Sequence, residues 1–349
     1  MSTISAPSGF ESQIVKALEA MIRPYVDRTF TDNFSNFIAE KRPKTKKETA
    51  RSVMLYAHMD EIGVMVKHID DKGFLYFEPV GGWDPRVLPS QRVRVSSPRG
   101  SIIGVVGCKP PHIQTREEME KAYKVEDLFI DIGARSREEA EKWGVQIGST
   151  ATLERSLEPL GKSTMVSGKA LDDRIGCAIV VDVARRMAEK ELDYTLYFGG
   201  TVQEEVGLRG ARVAAFGITP SLAIVVDSSI AGDVPGVDEK RVPLKVGKGP
   251  GITVMDSGFI LSEGVKELLV SAADDDYIPY QFEVLRGGTT DAASIRTTKT
   301  GVPVGVISIP VRYGHSSAEV VDLQDIVNAM RLVTSVLNRL DEKRLEEIH

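Results

Sequence analysis

Apolar residues along the chain recur either at helical spacing or in short compact runs. A first amphipathic helix is indicated near the N-terminus by residues that repeat every three to four positions: Ile14, Val15, Leu18, Met21 and Ile22. Compact runs of strand length follow farther along the chain, at residues 52–57, 194–202, 222–227 and 302–309. Helical spacing returns beside them, at residues 174–190, 262–274 and 291–299. Strands that alternate with helices predict a mainly parallel α/β sheet.

The C-terminal segment is predicted to form one long capped helix. Asp322 carries a side chain that is suited to the N-cap position. The residues after it place an apolar stripe on one helix face: Leu323, Ile326, Val327, Met330, Val333, Leu337 and Leu340.

The middle of the chain has a different texture, with short strand-like runs separated by Gly and Pro turn signals. These runs are at residues 63–68, 74–80, 92–97 and 102–106, with one helical piece at residues 136–143. Such closely spaced strands predict a small β-barrel or sandwich. The simplest organisation is an α/β domain made of residues 1–62 and 164–349, with a β-rich domain inserted at residues 63–163.

Composition limits the class of protein. The chain has 349 residues, of which 42% are hydrophobic, enough for a sizeable core and too many for a disordered chain. Its 44 Lys and Arg against 50 Asp and Glu give a net charge of −6, which argues against a protein that binds nucleic acid by neutralising phosphates. A run of six Lys and Arg within residues 41–51 is interpreted as a solvated surface loop, with a charged interaction site as the alternative.

The location of the protein is predicted from its cysteines and its apolar runs. Cys108 and Cys177 are too few for a disulfide framework, so we expect two free thiols in a reducing compartment. The N-terminus has no basic and apolar pattern of a signal peptide. The longest apolar run, residues 222–226, is far shorter than a membrane span. We therefore expect a soluble, cytoplasmic protein without a membrane partner.

Side chains that can bind metal ions follow four of the predicted strands. They are His58, Asp60, Glu204, Glu205, Asp227 and His315. Because ligands bind at the carboxyl ends of strands in open α/β sheets, we expect these side chains to meet at one edge. Glu204 and Glu205 alone could be solvated acids at a helix start, where the helix dipole favours them. Their combination with two histidines favours a shared site.

The adjacent acids Asp172 and Asp173 stand immediately before a predicted helix. Capping of that helix explains one acid but not a pair. Imidazole nitrogens with several carboxylate oxygens suit Zn²⁺, and also Co²⁺ or Mn²⁺. If one carboxylate bridges, five ligands can hold two metal ions, as in many aminopeptidases.

Other catalytic patterns are weak in this sequence. It contains no G-x-S-x-G motif and no histidine near Cys177, and His112, four residues after Cys108, is interpreted as a loop residue. Residues 287–291 are rich in glycine, but they lack the lysine of a phosphate-binding loop and the spacing of a dinucleotide motif. We expect them to form a wall beside a substrate, with Gly288, Thr290 and Asp291 as candidate substrate-binding residues.

Taken together, these motifs resemble the M42 metallo-aminopeptidases, a family that includes self-assembling tetrahedral enzymes. The resemblance runs through nearly the whole chain and is carried by residues 57–63 (AHMDEIG), 171–174 (LDDR), 202–211 (VQEEVGLRGA), 226–227 (VD) and 314–316 (GHS). Five dispersed motifs in the right order make it specific.

The resemblance implies a site with two divalent metal ions, Zn²⁺ or Co²⁺, with Mn²⁺ as a further option. The implied metal ligands are His58, Asp172, Glu205, Asp227 and His315, with Asp172 shared by both ions. Glu204 is the implied general base, which deprotonates a metal-bound water that attacks the peptide bond. Asp60 is the implied acceptor that orients the His58 imidazole. The peptide bond between Asp172 and Asp173 is implied to be cis.

The resemblance also implies an architecture and a substrate class. The fold would be an α/β catalytic domain of the zinc-peptidase type, with a small PDZ-like β-barrel inserted. The inserted domain would pair subunits, and six dimers would form a hollow dodecamer that admits short peptides with a free N-terminus. The chain departs from the family at Thr289, where glycine is usual, so its side chain is expected to narrow the substrate pocket.

Two other functions stay open at this point. The chemistry of two metal ions also suits a deacylase or amidohydrolase that acts on N-acyl amino acids. A catalytically silent scaffold would form a large oligomer without stoichiometric metal. The preferred N-terminal residue does not follow from the sequence.

Overall fold

The helices of the protein flank a sheet-rich core in the computed structural model, which describes residues 1–44 and 51–348. In chain order they are α1 Ser12–Ile22, α2 Arg116–Met119, α3 Arg137–Lys142, α4 Leu171–Met187, α5 Arg209–Ile218, α6 Glu263–Asp275, α7 Ala292–Arg296, α8 Leu323–Asn338 and α9 Glu342–Glu347. Most of the basic segment predicted to be a surface loop, residues 45–50, lies outside the described residues.

The strands form one large sheet, one small sheet and one barrel. In chain order they are β1 Arg28–Thr31, β2 Phe37–Lys41, β3 Ser52–His58, β4 Gly63–Ile69, β5 Leu75–Val80, β6 Arg92–Ser97, β7 Gly100–Gly107, β8 Phe129–Asp131, β9 Thr150–Leu153, β10 Glu158–Pro159, β11 Met165–Gly168, β12 Thr195–Thr201, β13 Leu222–Ile230, β14 Gly251–Met255, β15 Gln281–Val284, β16 Val304–Val311 and β17 Glu319–Asp322.

The large sheet has eight strands in the order β1-β2-β12-β3-β13-β16-β14-β15. Its centre, β12-β3-β13-β16, is parallel throughout. Strand β2 is antiparallel to β12 on one side, and β14 is antiparallel to β16 on the other. All residues of β3 and β16 are buried, as expected for strands covered on both faces. The prediction of a mainly parallel α/β sheet is confirmed, with antiparallel neighbours towards the edges.

The inserted region forms a closed antiparallel barrel in the order β4-β5-β8-β7-β6-β9. Its own apolar core contains Val66, Phe77 and Ile130, separate from the core of the large sheet. The predicted domain limits, residues 63 and 163, bracket these strands, and the hairpin β10–β11 pairs with β17 beside the large sheet. Of the two predicted alternatives, a barrel and a sandwich, the structure shows the barrel. The likeness of this barrel to a PDZ domain stays a prediction.

Helix α8 begins as the sequence predicts. The Asp322 carboxylate accepts a hydrogen bond from the Gln324 N–H at 2.8 Å, so it is the N-cap. Most of the apolar stripe is buried or half-buried, but Leu323 and Val327 on its flank are exposed. Among residues 1–44 and 51–348, no helix has the length and the apolar character needed to cross a bilayer.

Candidate functional site

The candidate residues lie at the carboxyl edge of the parallel strands. His58 is the last residue of β3 and pairs in register with Thr201, the last residue of β12. Glu204 and Glu205 follow β12 directly, Asp227 lies in the second half of β13, and His315 follows β16. The parallel pairing therefore brings all four strand ends to one edge, as expected from the sequence.

Asp172 stands between the two histidines. Its Oδ1 lies 3.1 Å from His58 Nε2, and its Oδ2 lies 3.5 Å from His315 Nε2. Asp227 Oδ1 approaches His58 Nε2 to 3.6 Å, and Glu205 Oε2 approaches His315 Nε2 to 3.3 Å. Each histidine thus lies near one carboxylate that the other histidine does not approach, and both histidines lie near the carboxylate of Asp172.

Both imidazoles are oriented through their other ring nitrogen. His58 Nδ1 lies 3.2 Å from the carbonyl oxygen of Asp60, and His315 Nδ1 lies 2.8 Å from that of Gly82. A carbonyl only accepts, so each Nδ1 donates, and each Nε2 is the ring nitrogen that faces the carboxylates at the centre of the cluster. With Nδ1 held by a carbonyl, Nε2 is the nitrogen available to a metal ion once it has lost its proton.

The donor atoms fall into two sets of three that could each hold a metal ion. One set is His58, Asp172 and Asp227, the other is Asp172, Glu205 and His315, and in each the donor atoms lie within 4.8 Å of one another. Nitrogen and carboxylate donors of this kind suit Zn²⁺, Co²⁺ or Mn²⁺.

The electrostatics of the cluster also favour bound cations. Burial raises the pKa of Glu205 to about 8, and the charge of Asp172 adds to this rise. Burial likewise raises the pKa of Glu204 well above its ordinary value. The hydrogen bond with Asp172 raises the pKa of His315 to about 10. Crowded buried acids of this kind are stabilised by divalent cations, so the residues present fit a metal centre.

Asp60 anchors the Glu204–Glu205 segment. Its carboxylate accepts hydrogen bonds from the backbone N–H groups of Glu204 at 3.0 Å and Glu205 at 3.2 Å, and from the Ser8 hydroxyl at 2.5 Å. The carboxylate lies 3.7 Å from His58 Nδ1, farther than the Asp60 carbonyl. The predicted orienting contact with His58 is therefore made mainly by the Asp60 backbone, and the side chain holds the two glutamates.

The two adjacent acids at the start of α4, Asp172 and Asp173, make different contacts. Asp173 accepts a hydrogen bond from the Gly176 N–H at 2.9 Å, which is the capping role, while Asp172 faces the histidines. The peptide bond between them is cis, as the resemblance implied.

A cavity of about 900 Å³ opens beside this cluster. The metal-ligand candidates line it together with Gly288, Thr289 and Thr290, so this part of the predicted wall borders the cavity. Asp291 is not among the lining residues. Its carboxylate is buried and accepts a hydrogen bond from the Thr201 hydroxyl at 2.5 Å, so the structure places it behind the wall.

The barrel domain contributes to the same cavity. The segment between β5 and β6 brings Gly82, Trp83 and Asp84 into the lining, and Gly82 also binds His315. A Cβ at Gly82 would lie 3.2 Å from His315 Nδ1, tighter than most such contacts. A segment between two barrel strands therefore borders the candidate site.

Glu319 is a residue of the site that the sequence did not reveal. Its buried carboxylate accepts hydrogen bonds from the N–H groups of Leu171 at 2.6 Å, Asp172 at 3.2 Å and His315 at 3.0 Å. It thereby fixes the backbone of two candidate ligands, and it holds His315 at a left-handed φ of 59°. No motif marks it, because its partners come from distant segments.

Comparison with known proteins finds similarity to aminopeptidases. A profile of the M42 glutamyl aminopeptidase family matches residues 35–332. The chain is 37% identical over 337 residues to the lysyl aminopeptidase of Pyrococcus furiosus. The aligned region covers 95% of this chain and 93% of that protein.

Solved structures show the same similarity. The TET aminopeptidase of a marine sediment archaeon, Thaumarchaeota archaeon SCGC AB-539-E09, superposes with a TM-score of 0.95 at 36% identity, over 100% of this chain and 96% of that one. The TET1 peptidase of Pyrococcus horikoshii, which can assemble into a tetrahedron or a large octahedral shell, gives a TM-score of 0.85 at 32% identity over 97% of each chain. The chain therefore belongs to the M42 glutamyl aminopeptidase family, and the protein is a peptidase.

Proposed function

We propose that the protein is a dinuclear metal-dependent aminopeptidase that removes N-terminal residues from short peptides. The observation that carries this proposal is the placement of Asp172, whose two oxygens face different histidines, each with a further carboxylate. With Asp172, His58 and Asp227 would bind one metal ion, and Glu205 and His315 would bind the other. When bound, two such ions polarise a scissile carbonyl and lower the pKa of a water molecule.

Glu204 is proposed as the general base. It lines the cavity but belongs to neither set of three donors, so its carboxylate is available for proton transfer. The Asp60 carboxylate accepts a hydrogen bond from the Glu204 N–H at 3.0 Å, which fixes the backbone of Glu204. In this position Glu204 would accept a proton from the attacking water at a carboxylate oxygen and return it to the leaving amine.

The free α-amino group of the substrate is proposed to bind beside the same acids. Carboxylates of Glu204 and Asp227 face the cavity and would stabilise an ammonium group. Gly288 and Thr290 are proposed to guide the peptide as part of the wall. The alternative of a deacylase acting on N-acyl amino acids is not favoured, because the family and the relatives described above are peptidases.

We further propose that the subunits assemble through the barrel into dimers and then into a dodecamer. The TET1 peptidase of Pyrococcus horikoshii can form a tetrahedron, and this chain is similar to it over 97% of its length. The cytoplasm is the proposed location, a choice that the two unpaired cysteines, Cys108 and Cys177, support.

The variant Glu204→Gln tests the proposed mechanism. Gln keeps the shape of the side chain but cannot take a proton, so we expect kcat to fall by roughly 10²–10⁴-fold. The metal content, measured by elemental analysis, should stay at the wild-type level because Glu204 is outside both donor sets. Near-normal turnover by a variant with full metal content would contradict the role of Glu204.

A further inference from the structure

Two buried acids in the cavity are not used by the proposed metal centre. Asp256 follows β14 and is 8% exposed, and Glu283 lies in β15 and is 2% exposed. Both line the cavity, and neither belongs to either set of candidate metal donors. Their location in the cavity and their burial require an explanation of their own.

Glu283 ends a row of side chains that begins at the candidate ligand Asp227. Asp227 pairs in register with Ser308 of β16, and Thr253 of β14 pairs with Glu283 of β15. The Thr253 hydroxyl contacts that of Ser308 at 2.6 Å. Ser308 itself pairs with Gly251 of β14, two residues before Thr253, so the row crosses the lining of the cavity obliquely from β13 to β15.

The Glu283 carboxylate is held in place by hydroxyl groups. It accepts hydrogen bonds from Thr253 at 2.6 Å, from Ser308 at 3.1 Å and from Ser229. Burial raises the pKa of Glu283, the three hydroxyls oppose this rise, and the nearby charge of Asp256 adds to it. Glu283 pairs in register with Thr253, three positions before Asp256, and both acids line the same cavity.

Asp256 has one carboxylate oxygen without a partner. Its Oδ1 accepts hydrogen bonds from the Gly258 N–H at 2.7 Å and the Thr289 hydroxyl at 3.1 Å. Its Oδ2 is buried and has no hydrogen-bond partner in the described part of the chain. An unsatisfied buried carboxylate oxygen is costly, and a donor on a ligand would remove that cost.

No cation of the described residues neutralises these acids. Among residues 1–44 and 51–348, no Lys, Arg or His forms an ion pair with Asp256 or Glu283, and no Lys or Arg lines the cavity. Apolar side chains of Leu285 and Val311 are also in the lining. The cavity thus combines apolar surface for an alkyl stem with two carboxylates for a cationic end.

We propose that Asp256 and Glu283 form the subsite for the side chain of the N-terminal residue and select Lys or Arg. This inference rests on the proposed aminopeptidase function, in which the α-amino group lies at the metal centre. The substrate side chain then extends along the row past Ser308 towards the two acids. A third metal ion is disfavoured there, because the described residues contain only the two donor sets of three at the centre.

A panel of X-Ala-Ala peptides with X as Lys, Arg, norleucine, Leu or Glu tests this selection on the metal-loaded protein. Norleucine matches the lysine stem without its charge. We expect kcat/KM for Lys to exceed that for norleucine by roughly 10–100-fold, the range of a hydrogen bond to a charged group. Asp256→Asn should lower kcat/KM for Lys by a similar factor and change that for norleucine by less than about threefold. Glu283→Gln should act in the same direction.

Two measurements separate this selection from other effects. Calorimetric binding of the Lys and norleucine peptides to the Glu204→Gln variant should show the same preference without turnover. Asp71→Asn removes one negative charge from a side chain that is 98% exposed on the barrel, and it should leave the Lys to norleucine ratio unchanged.

Several outcomes would overturn the inference. Wild-type protein that prefers norleucine or Glu would exclude a cation-selective subsite while leaving the aminopeptidase intact. Equal losses for Lys and norleucine in Asp256→Asn would assign that residue a structural role. A loss of bound metal in Asp256→Asn would make the acids a metal site. Release of no residue from any peptide would instead overturn the proposed function, and this inference with it.

Discussion

The two oxygens of the Asp172 carboxylate face different histidines, 3.1 Å from His58 and 3.5 Å from His315. Every other candidate ligand belongs to one donor set, whereas Asp172 belongs to both. At the scale of the residue, the proposal of two metal ions therefore depends on this one side chain more than on any other.

Metal counts in two variants test that dependence. Asp172→Ala removes a donor from both sets, so we expect occupancy to fall from about two ions per subunit towards zero. His315→Ala affects only the set with Glu205, so about one ion should remain. Elemental analysis after dialysis against the metal measures both. Retention of both ions by Asp172→Ala would contradict the shared role.

At the scale of the element, the order of strands explains how much of the site could be predicted. His58, Glu205, Asp227 and His315 lie near or just after the carboxyl ends of parallel strands, and parallel pairing places all such ends at one edge. The cap of α8 by Asp322 was also predictable, because capping is local in sequence.

Other features could not be predicted because they depend on distant segments. Glu319 binds backbone groups of Leu171 and Asp172, about 150 positions earlier in the chain. Glu283 is positioned by β15, a strand that the apolar pattern did not indicate. Thr289 was expected to narrow the pocket, and in the structure its hydroxyl binds Asp256. Such contacts follow from packing rather than from local pattern.

The role of Glu319 gives a prediction at this scale. Glu319→Gln replaces a carboxylate that accepts three backbone N–H groups, and its new amide NH₂ would oppose one of them. We expect metal affinity to fall by roughly 10–100-fold, and the free energy of unfolding to fall by about 1–3 kcal/mol. Metal titration and urea denaturation measure these changes.

A control for Glu319→Gln lies in the same strand. Asp322→Asn also changes an acid of β17, but Asn caps helices about as well as Asp, so metal affinity and stability should stay near the wild-type values. Equal behaviour of the two variants would show that Glu319 does not position the candidate ligands.

At the scale of the whole molecule, the barrel and the large sheet share the site. The Gly82 carbonyl of the barrel contacts His315 and Trp83 lines the cavity, so the barrel borders the candidate site as well as being the proposed contact between subunits. Because the subunit has a mass of 38.2 kDa, a dodecamer has a mass of about 458 kDa. Light scattering coupled to size exclusion should give that mass, and a single species of about 76 kDa would limit the assembly to a dimer.

Metal-dependent removal of an N-terminal residue is tested by comparing free and N-acetylated X-Ala-Ala peptides as substrates. Protein stripped with a chelator is assayed before and after addition of Zn²⁺ or Co²⁺. We expect release of X from the free peptides only, and only with metal, because in the proposed site the acids at the centre bind a free α-amino group. Turnover of the acetylated peptides alone, or release that does not need metal, would contradict this expectation.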